Sequence, residues 1–94
     1  MNMNDVRLLM GEVLDEFRNL RTITIKDNTN DKDLALRVIK LHYYNAMGNL
    51  EGIKRTYCRI VAKTVDDVDK CFDIYELSLK SLDYLYVNAK DYLR

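Results

Sequence analysis

The chain contains no proline and only three glycines in 94 residues. Proline breaks helices, and each interior glycine costs a helix about 1 kcal/mol relative to alanine. A chain nearly free of both can run in long, uninterrupted helices. The same scarcity removes the residues that tight β-turns depend on. An all-α fold follows, provided that the apolar side chains recur at helical spacing.

They do so in four segments. Between Asn4 and Leu20, the residues Val6, Leu9, Met10, Val13, Phe17 and Leu20 form one stripe, with Asn4 placed to cap the start. A second segment runs from Asp31 to Met47, capped by Asn30 or Asp31, with Gly48 placed to end it as a C-terminal glycine does. Its apolar residues lie nearly all round, as in a central helix. A third spans Leu50 to Lys63, with Ile53, Tyr57, Ile60 and Val61 inward. The fourth opens on "TVDD", where Thr64 and Asp67 resemble a capping box, and runs nearly to the end of the chain. In "RTITIKDNTND", Thr22 to Ile25 alternate like a strand, but no second strand segment exists to pair with it. A frayed helix end or a short extended connector is therefore expected there. Together these segments predict one helical domain over residues 1–94, a compact bundle of about four helices with a long C-terminal helix.

Ninety-four residues give a shallow core, and domains of this size often gain stability by oligomerising. The formal net charge is zero, which argues against a general nucleic-acid binder and leaves little repulsion against association. No apolar run is long enough to span a bilayer, and "MNMNDVRLL" lacks the features of a signal peptide, so a cytoplasmic location is expected. Cys58 and Cys71 read as buried, reduced thiols; a disulfide or metal pair is the alternative, but two thiols are too few for a structural zinc site. Abundant Asn, Asp, Lys, Ile and Tyr have AT-rich codons, which points to an AT-rich bacterium, a phage or a mobile element.

The last helix carries apolar residues on two faces. Val65, Val68, Phe72, Tyr75, Leu79, Leu82, Tyr86, Ala89 and Leu93 keep a three–four spacing and form the expected core seam. Ile74, Leu77, Ser81 and Tyr84 trace a separate ridge, with Val87 on the polar side. Either the other helices wrap that ridge, or it is an exposed seam for a second copy or another protein. The exposed reading is favoured because so short a chain has little material to cover both sides of a long helix.

Candidate chemistry is sparse. Glu12, Asp15 and Glu16, and likewise Asp69, Asp73 and Glu76, read as solvated outward faces rather than metal sites. Lys54, Arg55, Arg59 and Lys63 form a basic strip suited to steering an acidic partner. No nucleophile has a plausible base, so no catalytic residue, metal or cofactor is expected. The one histidine lies in "RVIKLH", and this Arg37–x4–His42 spacing resembles the motif of HEPN-type ribonucleases. The resemblance implies a dimeric RNA-binding protein or ribonuclease, with the pair from two subunits around the scissile phosphate. Val38 follows the arginine where that family has a polar residue.

The leading expectation is a small non-enzymatic protein-interaction module, regulatory or inhibitory, that binds another protein or forms a homodimer. Ile74, Leu77, Tyr84 and Val87 are the expected contacts, with Arg55, Arg59 and Lys63 in a steering role.

Overall fold

A computed structural model of the chain describes residues 1–93 and contains three helices. These are α1 (Met3–Asp27), α2 (Lys32–Val61) and α3 (Val65–Tyr92). The all-α expectation holds; the count of four does not. The second and third segments of the sequence are one helix of 30 residues, about 45 Å long.

Gly48 does not end a helix because nothing there adopts the left-handed conformation that such an ending requires: no described residue has a positive φ. Ala35, Ile39, Ala46, Leu50 and Cys58 keep one stripe of α2 buried on both sides of the glycine. Packing on each side outweighs the local cost of one residue. Apart from the backbone of its own helical turns and its chain neighbours, a Cβ added at Gly48 or Gly52 would meet no atom within 4 Å. Gly48→Ala and Gly52→Ala are therefore each expected to stabilise the fold by about 0.5–1 kcal/mol. In a domain of this size that is a rise in Tm of roughly 4–8 °C per kcal/mol, readable by thermal melting. A lower Tm in either variant would show that α2 needs its glycines.

The alternating "TITI" stretch is also helical, since α1 continues to Asp27. With no strand to pair with, its hydroxyls bond within the helix. Thr22 donates to the Arg18 carbonyl (3.0 Å), and buried Thr24 donates to that of Leu20 (2.7 Å).

Each helix start is capped. Asn2, rather than Asn4, caps α1, in a reciprocal capping box with Asp5. Asp31 accepts from the Leu34 N–H (3.0 Å). Thr64 accepts from the Asp67 N–H (3.1 Å), while the Asp67 carboxylate accepts from the Lys63 N–H (3.0 Å). That backbone donor holds the Asp67 carboxyl below its usual range.

Two tight connections make the bundle up–down–up. Met3 meets Cys71 and Met10 meets Ser78, both at a separation of 68 residues, so α1 and α3 run parallel. Phe17 meets Tyr43, Tyr43 meets Tyr86, and Lys54 meets Tyr75, so α2 runs antiparallel to both. The Arg21 guanidinium ties α1 to α3 through the Leu85 carbonyl (3.1 Å). The result is a rod of 51 × 18 × 16 Å. One core joins all three helices, with Met10, Phe17, Ile39, Leu50 and Leu82 fully buried.

Candidate functional site

In a three-helix rod, each helix faces two neighbours and buries one broad arc. On α3 that arc holds Cys71, Ile74, Ser78, Leu82, Leu85 and Ala89. Its centre lies about 70° round from the seam expected on sequence grounds. The expected seam was only the flank that faces α2. At its start, Val65 (79% exposed), Val68 and Phe72 are out of the core. The other flank faces α1 and takes in Ile74, which is buried and so belongs to the core rather than to an exposed ridge.

The rest of the ridge is outside. Leu77 is 64% exposed and Tyr84 68%, with Val87 exposed nearby on the same helix. Leu77 and Ser81 border a shallow groove between α1 and α3, whose other wall includes Arg7, Gly11 and Leu14. Gly11 and Ser81 are the small side chains that open this groove. Among the described residues, fourteen large apolar side chains are exposed, and seven of them lie on α3: Val65, Val68, Phe72, Leu77, Tyr84, Val87 and Tyr92. The last helix therefore carries half of the exposed apolar side chains, more than either of the others. Exposure of Val65, Val68 and Phe72 was foreshadowed by the acidic residues around them, Asp66, Asp67, Asp69 and Asp73.

The basic strip does not act as one unit. Lys54 turns inward and sits over the rings of Tyr75 (4.3 Å) and Phe72 (5.4 Å). Arg55 is paired with Glu51 at 2.7 Å. Arg59 has no ion-pair partner among the described residues, and it borders a second groove, between α2 and α3, with Val68 and Phe72. Lys63 lies exposed in the α2–α3 connection.

At the middle of the rod an aromatic cluster joins all three helices. Tyr43 stacks on Tyr86 (4.3 Å) and meets Phe17 (6.4 Å) and Tyr44 (5.6 Å) edge-on. Its hydroxyl donates to the Asp83 carboxylate. That bond, with burial second, pushes the Tyr43 phenol up to about 12. Tyr43 stays protonated at neutral pH and serves as a tie between α2 and α3, not as a base or nucleophile.

His42 is half-buried in a groove of about 380 Å³ between α1 and α2, with Glu16, Asn45 and Asn49 among its lining side chains. Arg37 is exposed and does not border that groove. The structure thus does not bring Arg37 and His42 together within one chain. Neither acidic cluster gathers into a metal-holding group: among the described residues, no three His, Cys, Asp or Glu side chains converge. No described helix is long and apolar enough to cross a membrane.

No family model matches this chain, and neither a curated protein nor a solved structure shows significant similarity to it.

Proposed function

We propose that this chain is a small, non-enzymatic protein-interaction module, a regulatory or inhibitory accessory protein that works by docking α3 on another protein. The observation that carries this reading is the share of exposed apolar surface on that helix, seven of fourteen large side chains. A monomeric surface scatters single apolar residues, whereas a helix that repeats them along its length offers anchors to a partner. Leu77, Tyr84 and Val87 are the contacts. Tyrosine suits the role, being rigid and amphipathic. Arg59 and Lys63, with Arg55 beside them, steer an acidic partner towards α3.

The test is capture of the partner from the native host by the immobilised chain, with stoichiometry read after cross-linking. Wild type is compared with Leu77→Asp, Tyr84→Asp and His42→Ala, each shown to be folded by circular dichroism. One stoichiometric protein, or a second copy of the chain, should be retained by wild type and by His42→Ala. The two α3 variants should each lose at least about 2 kcal/mol of binding, roughly thirtyfold. Retention unchanged in both α3 variants overturns the reading. So does an activity of the chain that His42→Ala abolishes without loss of fold or partner.

A further inference from the structure

A layer of sulfur atoms lies near the end of the rod where α2 turns into α3, one from each helix. The Cys71 thiol on α3 donates to the Met3 thioether on α1, with the sulfurs 3.5 Å apart. Cys58 on α2 lines the same groove as Cys71, and the two thiols lie near enough to influence each other electrostatically. Both cysteines are free thiols and buried, 8% and 2% exposed. They also form part of the floor of the α2–α3 groove, whose lips are Lys54, Arg59 and Phe72. The groove thus approaches both cysteines from the solvent side.

Two buried thiols filling core space would be an ordinary finding. Two features set this pair apart: cysteines from two helices line one groove, and a thioether from the third helix closes on one of them. We propose that Met3, Cys58 and Cys71 form a site for a monovalent soft metal ion of the Cu(I) class. The binding is independent of the partner-docking role assigned to the outer face of α3.

The donor set selects the ion. Thiolate and thioether ligands favour Cu(I), which is content with two or three sulfurs. Zinc in structural sites takes four donors, and among the described residues no His, Asp or Glu joins the two cysteines. A hard cation such as Mg²⁺ prefers carboxylate oxygens, and among the described residues none lines the groove. The proton balance closes without any redox step: Cu⁺ displaces two protons, giving a two-thiolate complex of net charge −1 with the Met3 sulfur as third donor. Arg59, which borders the same groove and has no ion-pair partner among the described residues, compensates that negative charge. In the free protein, burial first and then the neighbouring Cys71 thiol push the Cys58 thiol up to about 12.

Anaerobic titration of the full chain with Cu(I), in competition with a chromophoric Cu(I) chelator, tests the proposal. The expected result is one copper per chain and a rise in Tm on loading. Cys58→Ala and Cys71→Ala, both checked for fold by circular dichroism, should each weaken binding on the order of 100-fold or more, and Met3→Leu about tenfold. Failure of the wild-type chain to draw copper from the chelator overturns the site. Wild-type affinity in either cysteine variant does so equally. Unchanged affinity in Met3→Leu removes the thioether from it. Formation of a Cys58–Cys71 disulfide, seen as a loss of two mass units in place of bound metal, would also overturn it. Because the test reads copper and not partner capture, it can fail while the docking role of α3 stands, and the reverse.

Discussion

Phe17→Ala is expected to bring the fold close to its limit. Phe17 is 1% exposed and sits where α1 meets α2, with its ring edge-on to Tyr43. Its removal loses the transfer free energy of a large aromatic side chain and leaves a cavity that two rigid helices cannot close. Such changes cost about 3–5 kcal/mol. A 94-residue domain has roughly 5–14 kcal/mol in all, at 0.05–0.15 kcal/mol per residue. The variant should keep its helical circular dichroism at low temperature but unfold at a much lower urea midpoint. The effect should also spread. Tyr43 stacks on Tyr86 and bonds Asp83, so loosening it from Phe17 weakens the contact of α2 with α3 as well as that of α1 with α2. Phe17→Leu keeps most of the volume and should cost far less. A Phe17→Ala midpoint within experimental error of wild type would mean that the aromatic cluster does not hold the three helices together.

Much of this architecture was legible in the sequence, and the misses share one cause. Val6, Met10 and Phe17 were assigned to the core of the first helix by periodicity alone, and the structure buries all three. The Thr64 cap was legible because its signal is local, a hydroxyl three residues ahead of a backbone N–H. Gly48 and the "TITI" stretch were misread because their local preferences are weak, less than the packing that flanks them. What decides at Gly48 is that Ala46 and Leu50 lie on one buried stripe of α2, and that stripe depends on α1 and α3 being in place. The face of α3 was rotated for a similar reason. A wheel locates the middle of the apolar residues. It does not show that two partners press on one helix from different sides, so that Cys71 and Ser78 become central while Val65 and Phe72 fall outside. The sulfur layer was out of reach for the same reason, since Met3 and Cys71 are 68 residues apart and only the parallel pairing of α1 with α3 joins them.

The sharpest contrast lies between two residues three places apart. Ile74→Asp is expected to unfold the chain, and Leu77→Asp is not. Ile74 is 8% exposed on the flank of α3 that faces α1. Its removal forfeits about 2–5 kcal/mol of packing, and the incoming carboxylate has to be stripped of water against the apolar core. The two terms together approach the whole stability of the domain. Leu77, 64% exposed, already meets water, so aspartate there should stay within about 0.5 kcal/mol of wild type in urea unfolding. The pair separates core from surface in a way that partner loss alone does not, since an unfolded protein also binds nothing. A folded Leu77→Asp protein that has lost its partner assigns Leu77 to the docking surface. If Leu77→Asp unfolds as readily as Ile74→Asp, the ridge is core on both sides and α3 has no free face to offer. If Ile74→Asp folds normally, the α1–α3 contact is not where the register of 68 residues puts it, and the sulfur layer, which depends on that register, goes with it.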